Sequence, residues 1–326
     1  MIFVWWIFIL IECGCICVLG YRYYDRRFVH TPKKIHVLPV EKDYTQILQD
    51  SGLQFYDEPK ANIQIHENFA KFGVDEMITQ TFNADGLHER FDYSTQKSPD
   101  VFRIISLGDS FTQGVYLNTE QNYSEVLEDM LNAHVQCANK MRFEVINLGV
   151  SGYDMQYNLI RYQRKGMKYT PDLVLLWTND NDFLVPSESL RVFNSQWEPQ
   201  VQEPVLVEKY RSLGDFYPEQ TVLFNKFYET HPREALIVQE MEYLQELLKR
   251  IARPTIIFTL ASFPEDIRLK IESVVSKYPS VHFYPEIPDN FPQLPDQHPS
   301  ATGHTIFAEF LFNKITTSAY FSCKGI

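Results

Sequence analysis

Four short blocks, in order along the chain, carry side chains whose types could do chemistry. They are Gly108-Asp109-Ser110 with Gly114 four residues on, Asn147-Leu148-Gly149-Val150-Ser151-Gly152, Asn179-Asp180-Asn181-Asp182, and Asp296-Gln297-His298-Pro299. Together they offer a hydroxyl nucleophile, donors for a developing oxyanion, an imidazole base and an orienting carboxylate. Those are the parts that serine-based acyl transfer requires. Each block alone is weak. A lone Gly-Asp-Ser reads as a helix N-cap, a lone histidine as structural, and a glycine after a strand as a turn. The pentapeptide Gly-x-Ser-x-Gly of α/β-hydrolases is absent, which disfavours that fold.

Ser110 follows an apolar run and opens a turn, where a hydroxyl can project from a sheet edge. His298 is the side chain suited to exchanging protons near neutral pH. A carboxylate beside it, Asp296 or as a fallback Asp289, would fix its tautomer. An asparagine of the third block, Asn181 or Asn179, would supply a neutral N–H donor, and the one not so used an Asx turn. Gly152, or less readily Gly149, lets the backbone approach a ligand and donate its own N–H. His304, opening the last helix, reads as structural.

The elements that must position these blocks follow from periodicity. From Val101 onward strands and helices alternate. Strands are expected over Phe102–Leu107, Phe143–Leu148, Leu173–Trp177, Thr255–Leu260 and Val281–Tyr284. Helices are expected over Ser124–Val135, Tyr157–Gly166, Pro232–Ile251, Glu265–Lys277 and Ala301–Ile315. Such alternation implies an α/β fold, a mainly parallel sheet covered on both faces. Ligands in such sheets lie outside the carboxyl ends of the strands, and all four blocks fall there. An aromatic-rich stretch from Phe183 to His231 shows little periodicity and reads as a long loop, the kind that often shapes a cleft.

The order and content of the blocks resemble the SGNH hydrolase superfamily, also called the GDSL family, over roughly Phe102–Ile315. A looser resemblance begins at Asn83-Ala84-Asp85-Gly86-Leu87. The resemblance implies a flavodoxin-like three-layer α/β/α sandwich. It also implies Ser110, His298 and Asp296 as catalytic residues, with Ser110, Gly152 and Asn181 around the oxyanion. Asn181 sits at the family's usual distance past the strand, with Asn179 in place of the family's usual glycine. Many relatives space the last pair Asp-x-x-His. Here it is Asp-x-His, as in members linked to polysaccharide acetylation. The implied function is a serine esterase acting on ester-linked acyl groups, with no cofactor or metal. Transfer of an acyl group to a cell-surface glycan, beside a multi-pass membrane acyltransferase, is the alternative. A non-catalytic carbohydrate-binding scaffold is a third.

At 326 residues and a formal net charge of −12 the chain has no basic stripe, which argues against nucleic acid as a partner. Residues 1–20 are expected to form a membrane anchor. Met1–Leu19 carries one charge, Glu12, and as a helix would span roughly 28 Å, about one hydrocarbon core. Arg22, Arg26, Arg27, Lys33 and Lys34 follow it. The positive-inside tendency would hold the domain in the cytoplasm, whereas the anchored relatives imply the extracytoplasmic side, which is the expectation taken. Residues 21–100 read as a stalk and a small N-terminal subregion, and 101–326 as the hydrolase domain with the 183–231 insertion. Five cysteines make no disulfide framework at this length. Cys137 and Cys323 could pair, with nothing in the sequence to bring them together.

Overall fold

The computed structural model of the chain describes residues 33–34, 43–135 and 142–318. The expected anchor, most of the stalk, Cys137 and Cys323 lie outside these residues. Among the described residues no helix is long and apolar enough to cross a membrane.

Five strands form the central sheet: β1 (Val101–Leu107), β2 (Arg142–Asn147), β3 (Leu173–Trp177), β4 (Thr255–Leu260) and β5 (Val281–Ile287). Their order across the sheet is β5-β4-β3-β1-β2, and every pairing is parallel. The order reverses beside β1, so the crevice at the carboxyl ends of β1 and β3 is the place where a ligand fits.

Apart from the edge strand β5, the sheet is buried on both faces, and the period of two sorts its side chains. Ile105, Leu107, Val174 and Leu176 pack on one face, against helices α2 (Met155–Arg161), α3 (Arg233–Ile251) and α4 (Glu265–Val275). Ile104, Leu173, Leu175 and Trp177 pack on the other, against α1 (Tyr123–His134) and α5 (Ala301–Thr317). Each such fully buried aliphatic side chain contributes about 1.5–3 kcal/mol relative to exposure. Strands with no polar face are what a parallel sheet between two helical layers demands.

The stretch read as a long loop is helical instead. It opens on the end of the turn Asn181–Leu184 and holds Ser187–Gln196, Pro199–Gln202, Pro204–Ser212 and Pro218–Tyr228. Three of these begin with proline, which is pre-organised for the first helical position and ends whatever precedes it. The pieces are too short for a 3.6-residue period to emerge from the sequence.

The N-terminal subregion is built of antiparallel pairs, Thr45–Ile47 with Asp57–Pro59 and Ile63–Asn68 with Met77–Phe82. Lys33–Lys34 pairs with Phe91–Asp92. It is joined to the core by a buried ion pair, Glu58 with Arg161 at 3.0 Å. The turn at Asn83–Leu87 is closed by Asn83 Oδ1, which accepts the N–H groups of Asp85 and Leu87. The residues after it reach beneath the first two blocks. His88 Nδ1 lies 2.6 Å from the Gln113 carbonyl, and Glu89 accepts the Asn147 N–H.

Candidate active site

Ser110 begins a single helical turn, Ser110–Gln113, three residues beyond the end of β1. The capping role that a serine here could have played belongs to Asp109, whose carboxylate accepts the Phe111 N–H at 2.9 Å. Ser110 therefore occupies the first helical position, where its own N–H has no intrahelical acceptor, and its hydroxyl is released for other partners. Burial pushes the Asp109 carboxyl up to about 6, against the lowering effect of the Phe111 N–H, of nearby His298 and of Asn179.

His298 lies 188 residues away in sequence, yet its Nε2 is 2.9 Å from Ser110 Oγ. Its Nδ1 is 2.8 Å from Asp296 Oδ2, and its backbone N–H donates to Asp296 Oδ1 at 3.3 Å. An ionised carboxylate only accepts, so Nδ1 carries the proton and Nε2 accepts from Ser110. The Asp296 side chain is fully enclosed and that of His298 is 16 % exposed. Burial alone would raise the Asp296 carboxyl. The donors His298 and Tyr217 outweigh it and hold that carboxyl below the usual range.

The two-residue spacing works because Gln297 takes a left-handed conformation, φ 74°. That reverses the chain between Asp296 and His298, so both side chains leave the same side of a tight loop. Leu294 N–H donates to the His298 carbonyl at 2.8 Å, Gln297 N–H to the Leu294 carbonyl at 2.9 Å, and Gln293 pairs with Pro299 across the loop. Ser300 then caps α5 by accepting the Gly303 N–H, and its own N–H and hydroxyl both donate to the Pro292 carbonyl at 3.0 Å. Asp289 is elsewhere engaged. It accepts the N–H and the hydroxyl of Ser262, so it does not face His298 as an orienting acid. His304 is a buried core histidine, as expected: Nδ1 accepts the Tyr123 N–H at 3.0 Å, and burial pushes the ring down to about 3.

The second and third blocks separate into engaged and open groups. Gly149 donates to Asn147 Oδ1 at 2.9 Å and packs so tightly that a Cβ there would sit 2.4 Å from the Gln113 nitrogen. Gly152 is exposed, at φ 76°, with open space where a Cβ would be. No acceptor among the described residues takes its N–H. Asn179 is occupied at both ends of its amide. Nδ2 donates to Asp109, and Oδ1 accepts the Asn181 N–H at 2.8 Å. Asn181 is exposed, and its side chain makes no hydrogen bond within the described residues. Both Asp109 and Asp182 hold Asn179, the latter by accepting its backbone N–H at 3.0 Å.

Two tyrosines complete the surroundings of His298, and the sequence offered no signal for either. Tyr217, in the turn before the helix Pro218–Tyr228, donates to Asp296 Oδ2 at 2.7 Å. Tyr116 meets the His298 ring edge-on at 5.3 Å. Among the described residues no group of His, Cys, Asp or Glu is arranged to hold a metal ion.

Comparison with known proteins gives the same framework a lineage. Residues 106–306 match the model of the GDSL-like lipase/acylhydrolase family. Solved structures with similar folds include a carbohydrate esterase at 12 % identity, covering 68 % of this chain and 67 % of that one, TM-score 0.43. Another is an acetylxylan esterase from Geobacillus stearothermophilus at 13 % identity, covering 68 % and 96 %, TM-score 0.39. A third is the psychrotrophic esterase EstA from Pseudoalteromonas sp. at 15 % identity, covering 66 % and 97 %, TM-score 0.41. No curated protein matches the chain significantly. With well over half of its length matched by one family model, and with a parallel α/β sheet under the matched residues, this chain belongs to the GDSL-like lipase/acylhydrolase family.

Proposed function

We propose that the protein is a serine esterase that removes ester-linked acyl groups, acetyl above all, through Ser110. The observation that carries this reading is the continuous contact Ser110 Oγ–His298 Nε2 at 2.9 Å and His298 Nδ1–Asp296 Oδ2 at 2.8 Å. Ser110 Oγ attacks the ester carbonyl while Nε2 takes its proton. Asp296 holds the ring in the tautomer that leaves Nε2 free and stabilises the imidazolium that forms. The oxyanion is received by the N–H groups of Ser110 and Gly152 and by Asn181 Nδ2, the open donors of the three blocks. His298 returns its proton to the leaving alcohol. Water, deprotonated by the same nitrogen, then releases the acyl group.

The same acyl-enzyme can be discharged to a sugar hydroxyl. The Asp-x-His spacing favours that second reading. Purified enzyme should hydrolyse p-nitrophenyl acetate and acetylated oligosaccharides in a Ser110-dependent way. Adding a non-acetylated oligosaccharide separates the outcomes. Acetylated acceptor as the main product means transfer, and free acetate unaffected by acceptor means hydrolysis. No turnover of any acyl ester by folded protein would overturn both.

We further propose that Met1–Leu19 tethers the enzyme to a membrane with the domain on the extracytoplasmic side. Protease added to intact cells should then digest the domain. Full protection would reverse the orientation.

A further inference from the structure

The hydrogen-bond chain does not end at Asp296. Tyr217 O–H donates to Asp296 Oδ2 at 2.7 Å, the oxygen that also receives His298 Nδ1. Tyr217 and Tyr116 hydroxyls are 2.9 Å apart. A phenol has one proton, and Tyr217 spends it on the carboxylate, so Tyr116 is the donor in that pair. Burial raises both hydroxyls above their ordinary value, so both remain protonated donors at neutral pH. The resulting line is Tyr116, Tyr217, Asp296, His298, Ser110.

A second observation, independent of the hydrogen bonds, concerns Tyr116. It has φ 65°. For a bulky residue that conformation is an outlier, and it persists only where the surroundings over-determine it. The surroundings here are specific. Phe72 stacks on the Tyr116 ring at 4.4 Å, and Phe69 meets it edge-on at 4.9 Å. Phe72 also stacks with Tyr217 at 6.0 Å, and Lys71 Nζ donates to the Phe216 carbonyl at 3.0 Å. The N-terminal subregion thus clamps both tyrosines, one from the turn after Ser110 and one from the helical insertion, against the histidine loop. The other charged or titratable groups facing this line are Lys71 over the Tyr217 ring, Asp109 and His304 beside His298, and Tyr44 and Glu67 towards Tyr116.

We propose that Tyr217, backed by Tyr116, is a positioning residue of the reaction: it holds Asp296 in the rotamer that meets His298 and disperses its charge, and so sets the proton affinity of the base. This rests on the reading of Ser110, His298 and Asp296 as one catalytic unit. Neither tyrosine touches the reacting atoms. Their effect passes through the carboxylate.

The sign follows from the chemistry. Without the Tyr217 hydroxyl, the Asp296 carboxylate keeps more of its charge and stabilises the imidazolium more strongly. The acid limb of the kcat/KM–pH profile should therefore move to higher pH in Tyr217→Phe, by about half a pH unit. The kcat at pH 7 should fall on the order of ten-fold with KM little changed. Tyr116→Phe should shift the limb the same way but less. The phenyl rings keep the stacking on Phe72, so both variants should melt near the wild type. The full chain is assayed with p-nitrophenyl acetate, beside Ser110→Ala. An acid limb at the wild-type pH in folded Tyr217→Phe, with Ser110→Ala inactive, overturns the tyrosine assignment alone. A purely structural tyrosine would give that result with altered KM or melting temperature. Wild-type turnover in Ser110→Ala overturns the underlying reading of the site as well.

Discussion

The two ends of the Ser110–His298 contact are held by different kinds of structure. Ser110 stands at the end of β1, whose residues are all buried and whose neighbours on both sides are parallel strands. The N-terminal subregion meets the far end of its turn, where His88 Nδ1 lies 2.6 Å from the Gln113 carbonyl and Gln80 donates to the Gly114 carbonyl at 3.2 Å. His298 stands on a tight loop outside the sheet. That loop is secured by a left-handed Gln297, by Ser300 on the Pro292 carbonyl, and by Tyr217 from the insertion. The nucleophile is therefore fixed by the core. The base is fixed by local turn chemistry and by parts that lie beyond the sheet. Apart from the reacting side chains themselves, changes in what holds the first end should be read mainly in stability, and changes in what holds the second should grade activity.

The largest effect expected is common to both ends. Ser110→Ala and His298→Ala should each lower kcat/KM by roughly 10⁶-fold, with the double variant little worse, because residues acting as one unit are non-additive. Measured losses that multiply would mean that the two side chains act separately. Asp296→Asn should cost less than His298→Ala, since it disturbs the tautomer without removing the base. Asp289→Asn should leave turnover unchanged, because Asp289 is bonded to Ser262.

Next in size is the oxyanion side. Asn181→Ala should slow the chemical step by about 10²–10³-fold, the usual cost of one lost donor. Asn179→Ala should cost far less in kcat and appear mainly as a lowered melting temperature, because it removes the amide that donates to Asp109 and accepts the Asn181 N–H, while the backbone N–H to Asp182 remains. A reversal of these two effects in steady-state kinetics would exchange their roles.

Gly149→Ala tests how rigid the core end is. A Cβ would press on the Gln113 nitrogen and Thr112, backbone included, of the very turn that carries Ser110. Overpacking of that kind costs about 1–3 kcal/mol, readable as a lower urea midpoint. Gly152→Ala meets open space but an unfavourable φ of 76°, so its cost should be smaller in stability than in turnover.

The smallest effect concerns a buried carboxyl under β2. Glu128 accepts the Val145 N–H at 2.7 Å and the Tyr93 hydroxyl at 2.9 Å, and burial pushes it up to about 8. Its unfolded value is about 4.3. Between those two values the native state keeps a proton that the unfolded chain has lost, so stability falls as pH rises through the window. Glu128→Gln should flatten that slope of urea midpoint against pH while leaving the kinetic pH profile in place. An unchanged slope would remove Glu128 as its source.

What was legible in the sequence divides along the same line. Strands β3 and β4 fall on the expected residues, Leu173–Trp177 and Thr255–Leu260, because continuous apolar runs between breakers have one reading in a parallel sheet. Ser110, Asp296 and His298 were legible as types and come together in space. The contributions to the base end were not. Tyr217 follows Leu213-Gly214-Asp215-Phe216, a stretch with the start of a nucleophile block but no serine, and a lone tyrosine carries no periodic mark. Its role arises from a contact with Asp296, 79 residues away. The helical insertion was hidden by the shortness of its pieces. The choice between Gly149 and Gly152, and between Asn179 and Asn181, needed the hydrogen bonds. Sequence spacing names both members of each pair, and only the contacts reveal which donor is already engaged.

The central claim is that Ser110 is the nucleophile and that His298 activates it. The most direct measurement is the intact mass and peptide map of the protein after exposure to a fluorophosphonate at neutral pH. The account predicts a single adduct on the peptide containing Ser110, absent in Ser110→Ala and formed far more slowly in His298→Ala. Labelling at another serine, or equal labelling rates in wild type and His298→Ala, would contradict it.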